Sequence, residues 1–287
     1  MSLPLSTAAS RADLERLLFD DVPYGDLTTE ALGIGSALGR MQFFARDPML
    51  LALAEDAAAI IELAGGRVEL LAASGTRLAP GAPILTAQGS AAALLKGWKV
   101  AQTLIEIWSG VASAARDIVD AASAVRPDIV VACTRKNTPG TKRFAAAAVK
   151  AGGAVMHRLG LSETLLVFAE HRGFLGAEPL AETAARLRRG APEKKLVIEV
   201  GSVEAGVAAA DAGFDVIQAE KFAPSEIAAL LARLAGMPRR PVIAAAGGVN
   251  PGNAAAYAQA GAELLVTSSP YLAKPRDVQV RIAPLPR

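Results

Sequence analysis

From Pro127 onward the chain repeats one pattern: a short apolar run, a polar tip, then a helix-forming segment. The runs occupy residues 128–133, 154–156, 196–200, 216–219, 242–246 and 264–266. Helix-forming stretches over 144–150, 178–189, 203–212, 225–234 and 253–260 separate them. Apolar runs this short, bounded by turn residues, predict strands buried on both faces of a parallel sheet. Strands alternating with helices build βα units, because parallel neighbours need a crossover connection. Six such strands fit a small or incomplete α/β barrel, with an open doubly wound sheet as the alternative. Against that alternative, Gly247-Gly248 comes late and no G-x-G-x-x-G follows the first strand, as dinucleotide binding would require.

The chain before Pro127 follows other rules. Residues 10–19 read as a helix capped by Ser10, with Asp13 in the capping-box position. Tyr24 to Thr29 reads as a turn. Between residues 39 and 87, β-rich runs at 40–44, 67–71 and 83–87 alternate with glycine and proline turns around one helical stretch, 55–64. This is a separate α+β layer. Residues 90–125 are helical almost throughout, with Gly97 and Gly110 as expected bends.

The totals narrow the partners. At 287 residues the chain can bury a substantial core. Its net charge of +2 makes no general case for nucleic acid, so positive charge must act locally, on a small anion. No apolar run is long enough to span a bilayer, and the N-terminus lacks the basic-then-apolar pattern of a secretory signal. The single cysteine, Cys133, fits a reducing compartment. The expectation is a cytoplasmic protein without membrane or nucleic-acid partners.

The tips of the strands carry the chemistry. They are Thr134-Arg135-Lys136, His157-Arg158, Glu199 within its strand, Glu220-Lys221, Ala246-Gly247-Gly248-Val249-Asn250 and Thr267-Ser268-Ser269. In an α/β barrel these carboxyl-terminal ends form the active-site face. Arg135, Lys136 and Arg158 supply donors for carboxylates and phosphates. A carboxylate inside an apolar strand, as at Glu199, costs several kcal/mol unless it is paired or metal-bound. Glu199 and Glu220 can bind sugar hydroxyls or a Mg²⁺ that bridges phosphate oxygens. The glycine pair either makes a tight turn, with Asn250 as N-cap and Pro251 at the first helical position, or frees backbone N–H groups for phosphate. Two histidines cannot build a multi-histidine metal site, and no nucleophile elbow is present. The pattern suits group transfer by positioning and electrostatics.

With these residues in view, the chain resembles the quinolinate phosphoribosyltransferase (nicotinate-nucleotide pyrophosphorylase) family. The likeness rests on Thr134 to Gly140, on Gly152-Gly153 through His157-Arg158 to Leu161, on Ile198-Glu199-Val200 and on Ala246-Gly247-Gly248. It runs nearly end to end, taking in Gly25 to Thr29 and Leu104 to Gly110. The resemblance implies an N-terminal α/β sandwich over residues 1–110, an incomplete six-stranded α/β barrel over 111–275, and a C-terminal segment, 276–287, returning to the first domain. It implies a homodimer, or a higher homo-oligomer, in which one subunit's N-terminal domain covers the other's barrel mouth. It also implies chemistry: phosphoribosyl pyrophosphate (PRPP) with Mg²⁺ gives its ribose phosphate to the ring nitrogen of quinolinate, a heteroaromatic acid, pyrophosphate leaves, and a carboxylate is lost as CO₂. By the same likeness, Thr134, Arg135, Lys136, His157 and Arg158 hold the dicarboxylate and phosphates. Glu199 sits near the ribose, and Gly247-Gly248 form the phosphate turn.

The departures from the family pattern are specific. Lys99 stands where an arginine reaches into the neighbouring subunit, and Phe168 replaces a substrate-facing lysine. Glu220 stands for aspartate, followed by Lys221 for asparagine; Ala246 replaces serine and Ser268 replaces glycine. Losing the lysine at 168 removes a charge-assisted contact worth about 1.5–3 kcal/mol, which disfavours quinolinate itself. Together the changes resemble the ModD branch, pyrophosphorylases associated with molybdenum transport genes. The reading is a phosphoribosyltransferase with a changed acceptor. In it Lys136, Glu199, Glu220 and the glycine turn hold PRPP and Mg²⁺, Arg135, His157, Arg158 and the partner's Lys99 orient the acceptor, and Phe168 forms an apolar or stacking wall. Two rivals stay open: a true carboxylating quinolinate enzyme, and a non-catalytic protein binding an anion or phosphosugar in connection with molybdenum uptake.

Overall fold

The computed structural model describes residues 7–286. Residues 1–6, part of the lead on which the absence of a secretory signal is argued, and residue 287 lie outside them. The chain divides into two compact units, one of Met1–Arg116, Thr138–Gly153 and Pro270–Arg287, the other of Asp117–Asn137 and Ala154–Ser269.

The first unit opens with α1 (Arg11–Asp21), whose start is the expected capping box between Ser10 and Asp13. A short helix, α2 (Leu27–Ala31), follows where the sequence suggests only a turn. Asp26 makes the difference. Its carboxylate accepts from the Thr28 and Thr29 amides at 3.1 and 3.2 Å, turning a loop residue into an N-cap. Next come β1 (Leu38–Ala45), β2 (Met49–Leu50), α3 (Ala54–Leu63), β3 (Arg67–Leu70), β4 (Arg77–Leu78) and β5 (Pro83–Ser90). Along β1 the buried residues Gly39, Met41, Phe43 and Ala45 alternate with more exposed ones, the signature of a sheet covered on one face.

Helix α4 (Ala91–Ser123) then runs 33 residues as one element. Gly97 and Gly110 do not interrupt it. They answer close packing instead: a Cβ on Gly110 would lie 2.4 Å from the Lys274 carbonyl oxygen, and one on Gly97 3.2 Å from the Ile61 Cα. Near the other end of the chain, β13 (Val278–Pro284) pairs antiparallel with β1, Ala45 opposite Val278 and Gly39 opposite Pro284. The resulting sheet has the order β13-β1-β5-β3.

After α4 the elements are β6 (Val130–Cys133), α5 (Lys142–Ala151), β7 (Val155–Met156), β8 (Leu165–Val167), α6 (Ala169–Gly173), α7 (Leu180–Gly190) and β9 (Leu196–Val200). They continue with α8 (Val203–Asp211), β10 (Val216–Glu220), α9 (Pro224–Leu234), β11 (Val242–Ala246), α10 (Ala254–Gln259) and β12 (Leu264–Thr267). By the contact division α5 belongs to the first unit.

The second unit is built on seven parallel strands in the order β7-β6-β12-β11-β10-β9-β8. The order is cyclic. The first strand neighbours the last, and the one break lies between β7 and β8, consecutive in sequence. A doubly wound sheet reverses its strand order in the middle; a curled, incomplete barrel does not. The sheet therefore has seven strands rather than the six expected. The seventh, β8, escapes the sequence pattern because only the loop 157–164 separates it from β7, so the βα alternation skips it.

Candidate active site

The parallel register decides which side chains share the barrel interior. Val197, Val216 and Val242 stand in one row, Glu199, Gln218 and Ala244 in the next, and Glu220 beside Ala246 above them. Alternate residues of a strand face the same side, so three rows of β10 point inward through Val216, Gln218 and Glu220. The small side chains of Ala244 and Ala246 leave room on the β11 side, where Ala244, Ala246 and Val266 form a small apolar cluster. Above this floor opens a cavity of ≈ 570 Å³.

Thr134, Arg135, Lys136, His157, Arg158, Phe168, Glu199, Glu220, Ala246, Gly247, Gly248 and Ser268 all line it. The fold thus gathers every candidate of the second unit into one space. Lys99 is placed elsewhere: on α4 in the first unit, exposed, its Nζ 4.2 Å from the Trp98 ring centroid and 3.2 Å from Gln102 Oε1. It lines a groove of ≈ 330 Å³ with Leu17, Asp20 and Trp108.

The cationic side is set by short backbone links. The His157 amide donates to the Cys133 carbonyl at 2.8 Å and the Thr134 amide to the Thr267 carbonyl at 2.9 Å, which ties the tips of β6, β7 and β12 together. Arg158 is only 5% exposed, yet no carboxylate lies within ion-pair distance of it among the described residues. Its guanidinium carbon sits 5.7 Å from the Phe168 ring centroid, and that ring stacks on His171 at 5.7 Å and 17°. Arg158 follows β7 and Phe168 follows β8, so this contact also brings together the tips of the sheet's two edge strands. Burial, and then the Arg135 charge, pull the Arg158 pKa down; burial, and then Arg158, do the same for His157, which favours a neutral imidazole. A buried cation without a protein counter-charge is costly unless an anion completes it.

Across the cavity the charge reverses. Burial pushes the Glu199 carboxyl above its ordinary range, the Glu220 charge adds to this, and Gln218 and Lys136 oppose it. The Gln218 Nε2 donates to Glu199 Oε2 at 2.7 Å. At the β11 tip, Gly247 has φ +83°, and a Cβ there would lie 2.7 Å from Lys221 Cγ and 2.9 Å from the Lys221 nitrogen. Lys221 itself takes the left-handed φ of 57° and donates its amide to the Ala246 carbonyl at 2.7 Å. Beside it, a Cβ on Gly248 would meet nothing within 4 Å. The glycine pair therefore ends in an open shelf.

The turn after that pair differs from the expected N-cap. Asn250 and Asn253 fold its backbone, the Asn250 amide donating to Asn253 Oδ1 at 2.8 Å and both side-chain amides to the Gly248 carbonyl at 2.9 and 3.0 Å. The cap is Asn253, and α10 begins at Ala254.

Sequence reasoning missed Gln218, Glu170 and the apolar pair Leu166 and Val266, all of which line the cavity, while Thr267, named at the β12 tip, lines it as well. Gln218 could have been found. It interrupts an apolar run just as Glu199 does, and the argument applied to one polar residue inside a strand applies to the other. Its Oε1 is buried and has no hydrogen-bond partner among the described residues, a state that costs about 1–3 kcal/mol.

Comparison with known proteins covers both units. The family model for the N-terminal domain of quinolinate phosphoribosyl transferase matches residues 26–109, and that for its C-terminal domain matches residues 111–281. A Rhodobacter capsulatus protein named "Putative pyrophosphorylase ModD" is 48% identical over 248 residues, 86% of this chain and 95% of its own length. An Archaeoglobus fulgidus protein named "Probable nicotinate-nucleotide pyrophosphorylase (carboxylating)" is 30% identical over 259 residues, 88% of this chain and 94% of its own. The crystal structure of NadC from Streptococcus pyogenes superposes with a TM-score of 0.87 at 26% identity, over 96% of each chain.

Proposed function

The chain belongs to the quinolinate phosphoribosyl transferase family, and on that premise we propose that its cavity transfers ribose 5-phosphate from PRPP to a heteroaromatic acid other than quinolinate. The protein is a pentosyltransferase of the pyrophosphorylase type. The observation that carries the acceptor reading is Arg158: a buried guanidinium beside Arg135 and His157, with no carboxylate within ion-pair distance among the described residues. One carboxylate of an acceptor completes it. A second carboxylate, as quinolinate has, finds Phe168 where a cation would be needed.

In this reading Lys136 and the Gly247-Gly248 shelf take the phosphates, and Glu199 and Glu220 face the pentose. The acceptor's ring nitrogen attacks the anomeric carbon with its own lone pair. The N–C bond forms as the C–O bond to pyrophosphate breaks, and the bonding pair leaves with pyrophosphate, so no general base is required. The carboxylates stabilise the positive charge that gathers on the sugar as that bond loosens.

Mg²⁺ fits this site in one way only. Among the described residues no cluster of three or more His, Cys, Asp or Glu side chains could cage a metal, but the Glu220 charge is close enough to push the Glu199 carboxyl up. Two carboxylates suit an ion held mainly by substrate oxygens, and the ion would neutralise charge on the departing pyrophosphate. Lys99, exposed on α4 and absent from the cavity lining, supports a homodimer in which it serves the partner's site.

The test is pyrophosphate release from PRPP and Mg²⁺ with quinolinate, nicotinate and other heteroaromatic acids. Release with a monocarboxylate well above that with quinolinate is expected. Faster release with quinolinate would return the chain to the carboxylating enzymes, and PRPP binding without release from any acid would make it a binding protein. Arg158→Ala should weaken acceptor affinity at least tenfold while leaving thermal stability unchanged or raised, because it removes an uncompensated buried charge.

A further inference from the structure

Gln218 is not explained by packing. It lies on β10 in the row of Glu199 and Ala244, with Val216 one row below and Glu220 one row above. It is 5% exposed, and nonpolar side chains would fill that place without leaving a polar atom unmet. Its two amide atoms have different fates. Nε2 is engaged by Glu199 Oε2, and because a carboxylate only accepts, that contact fixes which way the amide faces. Oε1 has no partner among the described residues, although Gln218 lines the cavity.

The surrounding charges say what kind of group can answer Oε1. A carbonyl oxygen accepts, so the ligand must bring a hydrogen-bond donor. Two carboxylates flank the position, Glu199 directly bonded and Glu220 on the same face of the same strand, and they repel anionic groups. Phosphates and ring carboxylates are drawn instead to Arg135, Lys136 and Arg158. What remains for the acidic side is the uncharged, hydroxyl-bearing part of the ligand.

We propose that Gln218 is a specificity residue that accepts a hydrogen bond from a pentose hydroxyl while its amide nitrogen holds Glu199 in place beside the same sugar. The inference rests on the phosphoribosyl reading of the cavity and deepens it. It makes the barrel floor a detector of the sugar's hydroxyl pattern, separate from the cationic side that detects charge.

Calorimetry on the full chain distinguishes the possibilities, with ribose 5-phosphate, its 2-deoxy and 3-deoxy analogues, PRPP, nicotinate and inorganic phosphate as probes. The wild type should bind ribose 5-phosphate about tenfold more tightly than one of the deoxy analogues, as one hydrogen bond allows. In Gln218→Met, close in length but without the carbonyl, the ratio should fall to about one, with phosphate affinity unchanged. Three results would overturn the proposal: a wild type indifferent to both missing hydroxyls, a ratio that survives the substitution, or an equal loss for sugars and phosphate. A loss confined to nicotinate would move Gln218 to the acceptor side and overturn it as well. The wild-type ratio needs no variant, so a poorly folded Gln218→Met does not shield the idea, and Gln218→Leu repeats the comparison. Failure of the wild type to bind either ribose 5-phosphate or PRPP would instead remove the phosphoribosyl reading beneath it.

Discussion

At the scale of single residues, the site depends on atoms held where they are not comfortable. Gly247 is the sharpest case. Its φ of +83° disfavours any side chain, and a Cβ would crowd the Lys221 backbone nitrogen at 2.9 Å. Gly247→Ala should cost about 1–3 kcal/mol of stability or open the turn and abolish PRPP binding. Gly248→Ala, strained in φ but with open space around it, should do less; thermal unfolding and PRPP titration of the two variants give the comparison. Glu199 provides a pH signature. Its folded carboxyl binds a proton more tightly than the unfolded chain does, because burial, Glu220 and Glu170 outweigh Gln218 and Lys136. Between the ordinary carboxyl pKa of 4.5 and the raised folded value, the folded state holds more protons, so its contribution to stability is lost as pH rises through that window. Glu199→Gln should flatten that decline in ligand-free protein. Unfolding midpoints measured from pH 4 to 7 that fall as steeply in the variant as in the wild type would contradict this assignment.

Elements tell a different story about glycine. The sequence pattern treats Gly97 and Gly110 as bends because glycine weakens a helix interior, yet α4 runs through both. Their role belongs to packing, which local propensity does not contain. Gly110→Ala places a methyl 2.4 Å from the carbonyl oxygen of Lys274, a backbone atom with little freedom to retreat. It should destabilise by about 1–3 kcal/mol, the range for overpacking, despite improving helix propensity. Chemical denaturation reads the sign directly: a more stable variant would show that the segment around Lys274 yields easily. The same division between local and non-local information explains α2, where one aspartate converts a turn into a capped helix, and β8, three residues long and preceded by no helix.

For the molecule as a whole, chain order and spatial order diverge at two places. The last strand, β13, pairs with β1 over seven registered residues and occupies the edge of the four-stranded sheet. Truncation before Val278 should expose β1 as a bare edge, lower the melting temperature and promote aggregation; a soluble truncated chain with unchanged melting would show that the pairing contributes little. In the second unit, β12 pairs with β6 and completes the cyclic order.

Periodicity and the polar residues closing each apolar run were enough to determine a parallel α/β architecture, the end of it where the cavity opens, and most of the residues that line that cavity. They suffice because strand burial and βα connection are governed by local spacing and by the handedness of the chain. Three features were decided only by tertiary structure: the strand without a helix before it, Arg158 left without a counter-charge, and the Glu199–Gln218 pair in one row of the barrel. Each depends on which residues of distant segments come into register, and register is settled by the packing of the whole sheet rather than by any stretch of sequence within it.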